Sequence, residues 1–236
     1  MNKTTKVLAA LMLMVTAFVA VGCLNIGKPH KKHQSVDLGL PSGTKWATCN
    51  VGAKTPEAFG GYFAWGETKP KERYDWSNYQ YTMGTDSEMM KYCTNPEYGI
   101  NGYTDGLLFL EPGDDAATVN WGKKWRTPTF EQWKELHENT TQSVTVRNGV
   151  NGMLFTGRNG KSIFLPFAGS SAKNATKRGQ NENGSYWTSL LHTESHADAS
   201  DAAMMYFISN NTPNMSFVEI EAPRYMGMTI RPVRKK

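Results

Sequence analysis

The chain has 236 residues, with 26 Lys and Arg against 21 Asp and Glu, and a formal net charge of +5. That is too mild an excess for a nucleic-acid binder, which needs a dense basic footprint. About 200 residues lie beyond the N-terminal leader, enough to bury roughly 70% of the unfolded surface, so neither metal nor disulfide is needed merely to fold.

Residues 1–22 read as an export leader. Lys3 and Lys6 give it a positive start, and the apolar run over residues 7–21 is about 15 residues long, too short to span a bilayer comfortably. It ends in Ala20-Val21-Gly22-Cys23, which is similar to a bacterial lipobox. The similarity implies cleavage before Cys23 and acylation on it; the alternative is an ordinary secretory signal with an incidental cysteine. Acyl chains add about 0.8 kcal/mol per buried CH₂, so several chains anchor stably. No Asp follows Cys23 and residues 24–26 carry no acidic signal, which points to an outer-membrane lipoprotein of the cell envelope, with surface display an option. Residues 23–35 form a basic tether containing Lys28-Pro29-His30-Lys31-Lys32-His33. Its lysines would repel a metal cation, so a solvated linker is expected. Without Lys3 and Lys6 the remaining 24 basic residues face 21 acidic ones, a net of +3.

The domain then runs over residues 36–236. Residues 36–51 read as a hairpin about the turn signal Pro41-Ser42-Gly43, with Val36, Leu38 and Leu40 alternating. Residues 60–67 form a short aromatic strand between glycines. Residues 68–106 carry no long period, only Tyr74, Trp76, Tyr79 and Tyr81 among small polar residues; a short helix over residues 87–92 is expected inside a long, loop-rich insertion. After the apolar run 107–110, Asp114 is expected to cap a helical turn over residues 115–119. The strongest signal is residues 121–136. Thr129 and Gln132 make a capping box, and Phe130, Trp133, Leu136 and His137 follow at helical spacing. Strands flank this helix, so a sheet is its expected packing partner.

Three strands are expected at 142–147, 152–156 and 162–166, separated by Asn148-Gly149 and Asn159-Gly160, which make a meander. Residues 168–184 read as a polar loop, 185–190 as a strand, 192–202 as a second polar loop, and 204–209 as a strand. A turn at 210–216, a strand at 217–220 and a closing segment at 224–234 complete the chain. The fold class is α+β: short antiparallel sheets, one or two helices and long loops.

Trp125-Arg126-Thr127-Pro128-Thr129 with Trp133, then Tyr186-Trp187-Thr188-Ser189 and Ile230-Arg231-Pro232-Val233-Arg234, resemble the C-type lectin-like and formylglycine-generating-enzyme superfamily. With residues 36–52, Phe63-Ala64-Trp65-Gly66-Glu67 and Asp114-Asp115-Ala116-Ala117, they more closely resemble the Fibrobacter succinogenes major paralogous domain, common in exported Bacteroidetes proteins. The resemblance covers residues 36–236. It implies a C-type lectin-like fold whose first and last strands pair and whose long loops surround a ligand face. A shared fold does not carry a shared function.

No cysteine follows Cys93, so the thiol chemistry of the formylglycine-generating enzymes lacks its nucleophile. His137, His192 and His196 have no companion nucleophile motif. These observations argue for a non-enzymatic module. Lectin calcium motifs do not occur as such, and Asn95-Pro96-Glu97 reverses the expected order; Asp114 and Asp115 are weak metal candidates, and no cofactor is indicated beyond an optional structural calcium. Cys49 and Cys93 either pair in the oxidising exterior or stay as two small buried hydrophobes. The expected ligand-binding residues are Lys177, Arg178, Gln180, Asn181, Glu182, Asn183 and Tyr186. Their amides, cations and aromatic ring suit sugar hydroxyls, acidic groups and sugar faces. The expected partner is a glycan or an envelope or host protein, with membrane attachment through the lipid anchor and no nucleic acid. The alternative is an accessory subunit of an adhesin or fimbria with protein partners only.

Overall fold

The structure is a computed structural model and describes residues 33–173, 176–191, 200–208 and 218–235. The leader, Cys23, the tether through residue 32, His192, His196 and the expected turn at 210–216 lie outside them. The folded unit, His33–Lys236, already includes His33. Among the described residues no helix is long and apolar enough to cross a membrane.

Pro41-Ser42-Gly43 turns the chain between β1 (Ser35–Asp37) and β2 (Lys45–Ala47), as expected; Gly43, at φ 72°, closes the turn by donating its N–H to the Leu40 carbonyl at 2.9 Å. β1 and β2 pair antiparallel, and β11 (Val233–Arg234) adds to the other edge of β2. The last strand therefore pairs with the second strand and not with the first. The meander also forms: β3 (Thr140–Arg147), β4 (Val150–Gly157) and β5 (Ser162–Pro166). Asn148 and Gly149 both take positive φ, 49° and 79°, the conformation a two-residue hairpin turn requires. β6 (Ser170–Ala172) and β7 (Thr176–Arg178) form a two-stranded hairpin inside the stretch expected to be an irregular loop.

The third sheet holds the domain together. β8 (Asn183–Leu191), β9 (Asp201–Ile208) and β10 (Val218–Pro223) lie in the order β10-β9-β8, all antiparallel. Alternate side chains of a strand face opposite sides. Trp187, Leu191, Ala202 and Met204 enter one core with Trp65, Tyr74, Tyr79, Tyr81 and Tyr92. Tyr186, Met205 and Phe207 enter a second with Trp46, Trp133, Leu136, Phe155 and Val233. Both faces are buried, so these strands read as nearly continuous apolar runs.

The capping box at Thr129 and Gln132 starts helix α2 (Phe130–Glu138), which packs on β3, β8 and β9. Trp133 meets Trp46 edge-on, with ring centroids 4.6 Å apart. A shorter helix α1 (Ala116–Trp121) precedes it, and its cap is Asp115, not Asp114.

The aromatic insertion forms no helix at 87–92. Met89 instead bridges Thr82 and Gly99, and the tyrosines around it pack into the first core. Residues 60–67 likewise form no regular strand. Phe63 exchanges hydrogen bonds with Met228, and Trp65 donates its N–H to Arg224. Cys49 and Cys93 are both free thiols. Cys93 is buried in the first core and donates to the Asn95 carbonyl, while Cys49 sits beside the Thr48 hydroxyl. Of the two, Cys93 is buried and Cys49 is half-buried.

Arg231 ties the sheets together from a fully buried position. Its Nε donates to Asn50 Oδ1 at 2.7 Å, Nη1 to the carbonyls of Ala47 and Thr48, and Nη2 to the carbonyl of Phe164. Arg231→Met leaves these acceptors buried and unpaired, and should cost about 3 kcal/mol or more. Thr129→Ala removes one cap and should cost about 1 kcal/mol. Urea denaturation of both variants checks the order; an Arg231→Met loss no larger than that of Thr129→Ala would contradict it.

Candidate functional site

The site grows from one buried carboxylate. Asp115 Oδ1 accepts the N–H of Ala117 at 2.9 Å and the Thr127 hydroxyl at 2.7 Å, and Oδ2 accepts the Thr127 N–H at 2.9 Å. The same side chain thus caps α1 and fixes the far end of the loop that follows it. Gly122, at φ 91°, ends α1 and sends the chain out. Arg126 then exchanges both backbone hydrogen bonds with Val233, at 3.0 and 2.9 Å, and Ser189 donates its N–H to the Pro128 carbonyl at 2.8 Å. Between these fixed points the loop displays Lys123 and Lys124, both exposed, and tucks in Trp125.

Opposite the loop, residues 107–110 lie along β8. Leu110 donates to the Ser189 carbonyl at 3.0 Å, and Leu191 donates to the Leu108 carbonyl at 2.8 Å. Phe109 is left 52% exposed. The two segments bound a cleft of about 910 Å³, within the size range of small-ligand sites. Phe109, Leu110, Pro112 and Trp125 give it apolar walls, and Lys123, Lys124 and Arg126 line it as cations. Thr118, Thr127, Thr129 and Ser189 also line it; the Thr118 and Thr127 hydroxyls are donated to Asp115 and the Thr129 hydroxyl caps α2.

Beside the cleft the aromatics continue outward. Trp121 and Trp125 meet edge-on at 5.1 Å, and His33 stacks on Trp121 at 3.8 Å. The Arg234 guanidinium lies 5.4 Å over the Trp125 ring.

The expected loop site is differently employed. Tyr186 is fully buried, stacked on Phe207 at 5.5 Å with its hydroxyl donating to the Pro166 carbonyl. It cannot reach a surface ligand, which corrects its assignment. The amides fold the loop. Gln180 donates to the Tyr62 hydroxyl at 2.7 Å, Asn181 Oδ1 accepts the Asn151 N–H at 3.1 Å, and Asn183 Oδ1 accepts the Ser185 hydroxyl at 3.2 Å. Lys177 Nζ lies 3.8 Å from the Tyr62 ring centroid and donates to the Ser171 hydroxyl; burial pushes its ammonium below the usual lysine range. Arg178 and Glu182 remain exposed on the loop.

The weak metal candidates are also committed elsewhere. Asp115 is the cap and clamp just described. Asp114 Oδ2 accepts Lys91 Nζ at 2.7 Å and the Tyr92 hydroxyl at 2.6 Å. Among the described residues no group of three or more His, Cys, Asp or Glu converges to hold a metal.

The local pattern of residues 121–136 announces a helix start, not a binding loop. The missed signal was Lys123-Lys124 held between Trp121 and Trp125, two cations presented on an aromatic base. No family model, curated protein or solved structure matches the chain.

Asp114 generates a pH prediction. Burial alone would push its carboxyl up, but the hydrogen bonds from Lys91 and Tyr92 outweigh it and hold it below the usual aspartate range. A folded-state pKa below the unfolded one contributes stability above the unfolded value and loses it as pH falls through the folded value. Asp114→Asn should therefore destabilise the protein at pH 7 and flatten the loss of stability between about pH 5 and pH 2. Thermal melts across that range test it; parallel pH profiles for the two proteins would contradict it.

Proposed function

We propose that the chain is a lipid-anchored, non-enzymatic binding module of the bacterial cell envelope, with a C-type lectin-like fold, and that its ligand is an acidic glycan held in the cleft between residues 109–113 and 122–129. The observation that carries this reading is the cleft's composition: the exposed Phe109 ring faces a wall that carries Lys123, Lys124 and Arg126. An aromatic face suits a sugar ring, and cations suit its carboxylate or sulfate. The non-enzymatic part is supported by Asp115, the one carboxylate among the described lining residues. Both of its oxygens accept hydrogen bonds from α1 and the loop, which suits a structural role better than proton transfer.

The C-type lectin-like identification rests on the ordered motifs of residues 36–236 and is supported by their roles in the fold. The Trp125–Thr129 segment leads into α2, Tyr186–Ser189 belong to β8, and Arg231 links the terminal segment to β2 and β5. The envelope location rests on the leader and Cys23.

A second reading, an accessory subunit with protein partners only, is favoured by one feature. β3 is an edge strand that leaves Val144 and Val146 45% and 63% exposed. Unpaired strand edges are ready templates for another chain.

A glycan array probed with the chain from residue 24 tests the first reading, with calcium and with chelator. Uronic-acid or sulfated glycans should bind under both conditions. Phe109→Ala should weaken that binding about 10-fold and Lys124→Gln about 3-fold, while Arg178→Ala should leave it unchanged. Binding lost in Arg178→Ala and kept in Phe109→Ala would move the site to the loop at 177–183. A blank array would favour the protein-partner reading.

A further inference from the structure

Beside the proposed cleft, and sharing Lys123, Lys124 and Arg126 with it, six cations converge on a hollow of about 410 Å³: Lys45, Lys123, Lys124, Arg126, Arg234 and Lys235. They come from β2, the loop after α1 and the C-terminal strand. Among the described residues no acidic one lines the hollow. Lys45 reaches one carboxylate, Asp37, at 3.4 Å. Lys45 and Arg234 are directly opposite each other on adjacent antiparallel strands, an arrangement that destabilises a sheet when the charges are alike. Arg126 Nε is buried with no hydrogen-bond partner among the described residues. A fold that gathers like charges this closely, on strands and a loop fixed by backbone pairing, is suited to an anion carried by something outside it.

The chain's own entry point says which anion. His33 stacks on Trp121, and Trp125 lies edge-on to both rings. Trp125 carries the Arg234 guanidinium. His33, the first described residue, therefore lies near the margin of this hollow. His33 lies ten residues after Cys23, and ten extended residues reach at most roughly 35 Å. Lys28, Lys31 and Lys32 lie in that short span.

We propose that the six-cation hollow docks the domain onto anionic phospholipid headgroups of the bilayer that holds the Cys23 anchor, so that the module stands on the membrane by one basic face. The inference rests on the reading that Cys23 is acylated. The lipid would hold the chain near the surface, and the hollow would orient it there, with Lys123, Lys124 and Arg126 engaged by headgroups in place of an acidic glycan. A basic residue near an anionic membrane contributes about fivefold in partitioning, and the attraction is screened by salt over about 10 Å at 0.1 M.

The test uses the chain from residue 24, which lacks the anchor, in sedimentation with vesicles of equimolar phosphatidylglycerol and phosphatidylcholine. It should sediment with these and not with pure phosphatidylcholine, and should be released at about 1 M salt. Lys45→Gln with Lys235→Gln should reduce partitioning about 30-fold. Neither residue lines the cleft, so binding to an acidic glycan should be unchanged. Lys235→Gln alone, at an exposed terminal position, should reduce partitioning about fivefold and serves if the double variant fails to fold. Equal binding to both vesicle types, or undiminished binding by the folded variants, overturns the proposal. Mass spectrometry of the Cys23 peptide from envelope preparations tests the anchor separately: an unacylated Cys23 removes the geometric premise even where vesicles are bound.

Discussion

The buried Asp115 carboxylate is the constraint on which the functional surface depends. It satisfies the first N–H groups of α1, which would otherwise lack partners inside the protein, and it grips Thr127 by both backbone and hydroxyl. A short helix of six residues has little stability of its own. Clamping both ends of the 115–127 segment with one side chain turns it into a rigid frame. Lys123, Lys124 and Arg126 are then presented by backbone geometry, and both the cleft and the basic hollow use them. A neutral side chain at this position would leave several donors competing for fewer acceptors, and the loop would be the first element to relax.

The frame is held against a sheet with two cores. Trp187 and Tyr186 are neighbours in sequence, yet they anchor opposite cores because successive strand residues alternate. Trp187 Nε1 donates to the Phe63 carbonyl and Trp65 Nε1 to that of Thr188. These exchanged bonds satisfy irregular backbone in the first core, where regular pairing is sparse. The aromatic insertion, with two short 3-10 turns at Trp76–Asn78 and Ile100–Gly102, can therefore dispense with α-helices and regular strands and still be buried.

What was legible in the sequence followed from local rules. The capping box at Thr129 and Gln132, the Asn148-Gly149 turn and the Pro41-Ser42-Gly43 turn each act within a few residues, and each formed. What was not legible depended on distant partners. Asp114 and Asp115 look equivalent as caps, but Lys91 and Tyr92 take the first and Thr127 holds the second. The amides of Gln180, Asn181 and Asn183 look free to meet a sugar, yet Tyr62, Asn151 and Ser185 engage them. Nothing local marks Lys123 and Lys124; Phe109 on one side and Arg234 and Lys235 on the other define the spaces they line.

The central claim is that ligand recognition belongs to the cleft framed by Asp115 and not to the loop before β8. Backbone amide NMR of the isotope-labelled chain, titrated with an oligogalacturonate, addresses it residue by residue. The account predicts saturable shifts at Phe109, Lys123, Lys124, Thr127 and Ser189, with residues 177–183 unmoved. Shifts concentrated at 177–183, with the cleft silent, would contradict it.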